Sequence, residues 1–395
     1  MNKKLVLKTL CLALLSTALL PYPESFANSS LQQLEREKPP TLRILLAKGP
    51  AGRDAQHWIE VKGRYTLYNL SDGDLILSAT KSPLQPVHIT AEGLYFGELM
   101  PGIHQMRIAP GDSRSTILVN GIEYRGWIDL YSVDGKLAIV NEVDIENFLR
   151  ATIAPQFASH SSESKEVLEA LAIVARTHAC AHLKQHRGSV WHLTAADAGY
   201  QGSSLGQDAV GMLRAIDETR HLVMTYEGSP FAATWTEECA GRTASFATLF
   251  RKESVGPSGV QLPQVWLSSA PSTWSFSLSK RALAELLDLS EVSEFNLYLD
   301  TASSKVYGIR ASDGHRSIDL DFFSFQQVVG ANRLLSSDFT TRVEKEMIHF
   351  NGLGRGHGVG LCLTTAKKMA EQRANAETIL ATFFPGTTLT QLKKL

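Results

Sequence analysis

Between Leu42 and Val140, apolar and polar residues alternate or run in short blocks. Examples are "LRILLA" (42–47), "HWIEVKG" (57–63), "RYTLYNL" (64–70), "DLILSAT" (74–80) and "STILVNG" (115–121). A period of two puts one row of side chains inside and the other outside, which predicts half-buried strands. Turn residues in "SDGD" (71–74), "APGDS" (109–113) and "VDGK" (133–136) separate them. The pattern changes at "KLAIVNEVDIENFLRATIAPQF" (136–157), which predicts a strand leading into a helical stretch ended by Pro155. After the polar run "SHSSES" (159–164), Val167, Leu171, Val174 and Leu168, Ala172, Ala175 give 165–183 a wide apolar helical face. "HLVMTYEG" (221–228) and "FAATWTEECAG" (231–241) predict a hairpin-like pair of strands. "SKRALAELLDL" (279–289) predicts a short helix, and "NLYLDT" (296–301), "KVYGIRA" (305–311) and "SIDLDFFSF" (317–325) predict strands. "LCLTTAKKMAEQ" (361–372) holds good helix formers without Gly or Pro and predicts a helix.

A chain of 395 residues can bury a large core or form two domains. Lys and Arg (39) nearly balance Asp and Glu (40), so no basic field points to nucleic acid. The N-terminus does change the picture. "MNKKLVLK" carries positive charge, "TLCLALLSTALL" is a short apolar stretch, and Ser25 and Ala27 fit the small-residue positions of a cleavage site. Residues 1–27 are therefore expected to be a signal peptide and 28–41 a linker, with the mature protein exported to the periplasm or another extracytoplasmic space. Cys180, Cys239 and Cys362 lie beyond that segment. Their spacing fits no zinc pattern, and neither a metal nor a cofactor is expected. Cys239 and Cys362 both flank candidate site motifs and are expected near one another.

The densest candidate chemistry is "GRGHGVG" (354–360), four glycines at alternate positions around His357. Glycine is kept where φ is positive or where another group approaches the backbone closely. The loop reads either as the wall of a binding site, formed by Gly356, Gly358 and Gly360 with one imidazole in it, or as a tight turn with a structural histidine. Arg176, inside an apolar helical run, is either a surface charge or a buried guanidinium that needs a partner.

Several segments in order resemble the SpoIID/LytB family, the stage II sporulation protein D and amidase-enhancer group. The family's Gly-x-Gly-His-Gly-Val-Gly loop, a helix with Met-Ala and a Pro-Gly-Thr ending resemble "GLGRGHGVGLCLTTAKKMAEQRANAETILATFFPGTTL". The family's Ala-Arg-Thr-Tyr-Ala helix is similar to "LEALAIVARTHACA", its Tyr-x-Gly step to Tyr200-Gln201-Gly202, and its Gly-Gly-x-Thr segment to "TWTEECAGRT". The resemblance covers roughly residues 42–388. It implies an α+β fold in which a β-rich N-terminal part (42–140) joins a SpoIID-like mixed α/β domain (141–395) with a glycan-binding cleft. It also implies a peptidoglycan-directed protein acting on glycan strands, as a lytic transglycosylase or as the helper of another cell-wall hydrolase such as an amidase.

Strand cleavage by this route needs a proton for the leaving oxygen and then a base, and one carboxyl can serve both steps. Aligning "FLRATIAPQF" with the family's catalytic segment puts its glutamate on Gln156. An amide hydrogen-bonds but does not supply a proton usefully. Glu237 and Glu238 replace short hydroxyl residues of the family. They alternate faces on a strand, so one of them is a candidate displaced acid, while the alternative is two solvated glutamates. Tyr200 and Trp235 are candidates for stacking on sugar or for the core, and Arg176, Gly241 and Thr243 fall on family motif positions. Two functions follow: a strand-cleaving enzyme with a displaced acid, or a non-catalytic peptidoglycan-binding protein.

Overall fold

The computed structural model describes residue 31 and residues 39–49, 57–157, 163–203, 208–251, 255–267 and 270–392. The expected signal peptide and most of the expected linker lie outside the described residues. The fold is mixed α/β and strand-rich, in line with the α+β expectation. The described residues divide into two compact units, one holding 39–157 and 182–220 and the other 163–181 and 221–391.

In the first unit the segments quoted from 42 to 80 become strands β1 (Thr41–Gly49), β2 (His57–Lys62), β3 (Tyr65–Asn69) and β4 (Leu75–Ala79), followed by β5 (Ser82–Ile89) and β6 (Gly93–Phe96). They continue with β7 (Glu98–Pro101), β8 (Gln105–Pro110), β9 (Thr116–Val119), β10 (Ile122–Tyr124), β11 (Trp127–Val133), β12 (Lys136–Asp144) and β13 (Leu193–Thr194). One sheet has the order β13-β1-β12-β11-β8-β3-β4 and another β10-β9-β2-β5-β6-β7, and the β1–β13 pair is parallel. The register lines up Leu42 with Val143, Leu130 with Ile139 and Met106, and Ile108 with Ile128 and Leu67, all of them buried. On the opposite face the buried Arg107 makes a two-pronged contact with Asp129, at 2.7 Å from each oxygen. It also bonds Glu142 and stacks 4.1 Å from the Trp127 ring, so these buried charges are paired.

β12 runs into a helix, Ile145–Thr152, capped by the Asp144 side chain accepting from the Asn147 N–H. Ile153 ends it, and a single turn, Ala154–Phe157, follows. Pro155 has no N–H to give the Ala151 carbonyl, which accounts for the break.

In the second unit the Lys165–Gln185 helix, through Ala181, packs with β14 (Leu222–Thr225), β15 (Trp235–Thr236) and the chain beyond. The sequence predicts that 221–228 and 231–241 pair with each other, but the structure corrects this. β14 pairs antiparallel with β23 (Thr388–Gln391), and β15 pairs parallel with β22 (Leu361–Cys362). Both partners come from far along the chain, and the Tyr226–Ser229 bridge alone remains local. Between β15 and β22 the chain builds a module from β16 (Thr273–Ser279), β17 (Glu294–Asp300), β18 (Lys305–Ser312), β19 (Ser317–Asp321), β20 (Phe339–Glu344) and β21 (Met347–Leu353). Two helices, Lys280–Leu287 and Phe322–Val329, close over a core that includes Leu283, Ile309, Phe322, Phe325 and Phe350. Phe322–Phe325 are helical rather than strand, because the Asp321 carboxylate caps the Ser324 N–H and starts a helix there.

Candidate functional site

The four loop glycines, Gly354, Gly356, Gly358 and Gly360, have φ of 72°, 91°, 68° and 75°. A side chain at Gly354 would lie 2.4 Å from the Glu238 carbonyl oxygen, at Gly356 2.5 Å from Thr236 Oγ1, and at Gly360 2.1 Å from the Thr234 carbonyl oxygen. At Gly358 it would lie 2.7 Å from Lys305 Cε. Three of the four glycines therefore meet alternate residues of the extended 234–238 segment and Gly358 meets Lys305, so the close approach they permit is of the chain to itself.

His357 is buried at the centre of this contact. Its Nδ1 accepts from the Val359 N–H at 3.1 Å, which leaves the proton on Nε2, 3.4 Å from Thr234 Oγ1. The ring meets the Phe250 edge at 5.4 Å. Burial holds the imidazole neutral with its pKa down from 6.5 to about 4, and a hydrogen bond to the Trp235 backbone opposes this only in part. The unfolded chain takes a proton here below pH 6.5, whereas the folded chain does not until about pH 4. The site's contribution to stability is therefore complete above pH 6.5 and is lost as pH falls towards 4. The loss is on the order of 3 kcal/mol. His357→Gln, which cannot be protonated, should show a shallower decline in Tm than wild type across this pH range. Parallel curves would contradict the assignment.

Glu237 and Glu238 do alternate. Glu237 is exposed, with Oε1 3.9 Å from Arg355 Nε. Glu238 is half-buried, its Oε1 accepts from the Ser272 N–H at 2.9 Å, and its backbone pairs with Arg355. Trp235 is half-buried on β15. Lys305, which no sequence pattern marks, is wholly buried and donates to the Cys239 carbonyl at 2.8 Å and to Asp338 Oδ2 at 2.7 Å. Ser337 Oγ donates to the His357 carbonyl at 2.9 Å, so the module and the glycine loop are tied together. Thr243 is buried, with Oγ1 accepting from the Val260 N–H at 2.9 Å, and Gly241 has φ of 86°. Arg176 is fully buried and its Nη1 donates to the Leu222 carbonyl at 3.1 Å, while Thr177 Oγ1 accepts from the Met224 N–H. These two side chains fasten the Lys165–Gln185 helix to β14.

Gln156 and Tyr200 belong to the first unit. Gln156 is half-buried in the Ala154–Phe157 turn, and its Nε2 donates to the Thr152 carbonyl at 2.9 Å. Tyr200 is buried between Tyr124 and Phe148, each ring 5.8 Å away, and its hydroxyl donates to Asn141 Oδ1 at 2.6 Å. Asn141 Nδ2 in turn serves the Arg125 and Trp127 carbonyls. The ring is thus a core element with its polar tip satisfied. Gly202 completes the step, because a side chain there would lie 2.6 Å from the Glu123 carbonyl oxygen. Tyr200→Phe leaves Asn141 Oδ1 buried without that donor and should cost about 1–3 kcal/mol. An unchanged urea midpoint would contradict this. Among the described residues, no group of three or more His, Cys, Asp or Glu side chains is placed to hold a metal ion.

Residues 133–226 match the SpoIID family, described as stage II sporulation protein. The match takes in Gln156, Arg176 and Tyr200 and stops before Trp235. This match and the likeness to an amidase enhancer given below support the resemblance to the SpoIID/LytB family. It is 25% identical over 345 residues to an uncharacterized protein of Brachyspira hyodysenteriae, covering 84% of this chain and 89% of that one. It is 31% identical over 187 residues to an uncharacterized protein of Chlamydia pneumoniae, covering 47% of this chain and 66% of that one. It is 24% identical over 279 residues to the amidase enhancer of Bacillus subtilis, covering 58% of this chain and 39% of that protein.

Proposed function

We propose that this chain is an exported, peptidoglycan-directed protein that binds glycan strands and assists another cell-wall hydrolase without cleaving strands itself. The observation that carries this reading is Gln156. It stands where the family resemblance puts the catalytic carboxyl, and its amide is engaged with the Thr152 carbonyl of its own backbone. An amide there can orient a glycosidic oxygen but cannot protonate it. The SpoIID family match and the likeness to a protein named amidase enhancer support the cell-wall role and the kind of partner. Half-buried Trp235 is the aromatic candidate for a sugar face.

A second reading keeps strand cleavage and rests on Glu237, whose carboxyl is exposed to an incoming substrate. Glu238 is the internal control, since its carboxylate is occupied by the Ser272 N–H. Purified protein incubated with sacculi separates the readings. The binding-helper reading expects co-sedimentation, no soluble muropeptide, and faster release when a purified wall amidase is added. Failure to co-sediment would reject it. Soluble product that disappears in Glu237→Gln but survives in Glu238→Gln would install the second reading.

A further inference from the structure

Cys239 and Cys362 meet inside the second unit. Cys239 follows β15 and Cys362 ends β22, and the parallel register that sets Thr236 beside Cys362 brings the two sulfurs together. The Cys239 N–H donates to Cys362 Sγ at 3.2 Å, and the two side chains are hydrogen-bonded to each other. Both are buried, at 1% and 0% exposure. Cys362, at the N-cap position of the Leu363–Glu371 helix, also has its Sγ 3.3 Å from Thr364 Oγ1 and accepts from Thr365 Oγ1 at 3.4 Å. The residues are 123 apart in sequence, and the whole 272–353 module lies between them.

We propose that Cys239 and Cys362 are a disulfide-forming pair whose closure staples together the two segments that bracket this module. The inference stands on the register and the sulfur contacts, independently of the glycan reading. The oxidant is a disulfide, small or protein-borne. The Cys362 thiolate attacks one of its sulfurs, forming a mixed disulfide and expelling one thiolate. Cys239 then loses its proton and attacks the Cys362 sulfur, which closes the bridge and expels the second thiolate. Two protein thiols are oxidised and one disulfide is reduced to two thiols.

The surroundings assign the order of attack. Burial would raise the Cys362 thiol, but hydrogen bonds from Cys239, Thr364 and Thr365 outweigh it and bring it down to about 6. Its hydrogen bond to Cys362, and then burial, push Cys239 up. Because both sulfurs end enclosed, closure is expected late in folding, once these hydrogen bonds have formed but before the sulfurs are shut off from the oxidant. A cross-link over so long a loop restricts the unfolded chain strongly and should raise Tm by on the order of 10 °C.

The test refolds reduced protein either in a glutathione redox buffer or in excess reductant, followed by alkylation and peptide mass spectrometry. The expected result is a peptide joining Cys239 to Cys362, lighter by two hydrogens than its reduced parts, together with the higher Tm. It should persist in Cys180→Ser and vanish in Cys239→Ala and Cys362→Ala. Should refolding fail, alkylation under denaturant of protein purified without reductant reads the same two positions. The proposal is overturned if natively folded, oxidised protein leaves both cysteines alkylated, carries only glutathione adducts, or joins either one to Cys180.

Discussion

Replacing Gly360 with alanine is expected to destabilise the protein by roughly 3 kcal/mol and lower Tm by on the order of 10 °C. Two independent penalties combine at this position. Its φ of 75° lies in the left-handed region, which costs a residue with a side chain about 1–2 kcal/mol. The added carbon would also sit 2.1 Å from the Thr234 carbonyl oxygen, backbone that cannot swing aside as a flexible side chain can. Relieving that overlap means parting β15 from β22, at about 1–3 kcal/mol. Gly228 supplies the control. Its φ is 76°, but nothing lies within 4 Å of a side chain placed there. Gly228→Ala should therefore show only the conformational penalty, about 1–2 kcal/mol. Equal losses for the two variants would mean that the glycine loop is not held by close backbone contact.

Gln156→Glu is expected to create anhydromuramyl product release from sacculi, or to raise it by on the order of 10²–10⁴, the usual worth of a positioned general acid. The fold should tolerate the change. Gln156 is half-buried, and the one side-chain bond lost is its own donation to the Thr152 carbonyl. The gain is specific to a carboxyl at this place, so Gln156→Ala should stay inactive while folding normally. If the Gln156→Glu variant brings no product, either the alignment of the Ala154–Phe157 turn with the family's catalytic segment is wrong or other groups of the site have also been lost.

How far the sequence can be read depends on how local the cause is. Strands β1 to β4, β9 and β12 follow from alternation or short apolar runs, which each segment carries within itself. The close-approach role of the loop glycines is also legible, but not the identity of what approaches them. That partner, 234–238, lies more than a hundred residues earlier, and local pattern says nothing about it. For the same reason local pattern pairs β14 with β15, although their partners are β23 and β22. Tyr200 and His357 show the limit for side chains. Polar residues at family positions could face substrate or core, and only burial with the Asn141 and Val359 hydrogen bonds assigns them to the core. Lys305 leaves no trace in the sequence, since one lysine starting a strand is ordinary until Asp338 and the Cys239 carbonyl are seen around its ammonium.

The central claim is that this chain handles peptidoglycan without cutting its glycan strands. The most direct measurement is mass spectrometry of the soluble material released when purified wild-type protein is left with sacculi, beside Gln156→Glu and a no-protein control. The account predicts that wild type matches the control in anhydromuramyl products and that the variant exceeds both. Wild-type release equal to that of the variant, and abolished by Glu237→Gln, would contradict it and make the protein a strand-cleaving enzyme with a relocated acid.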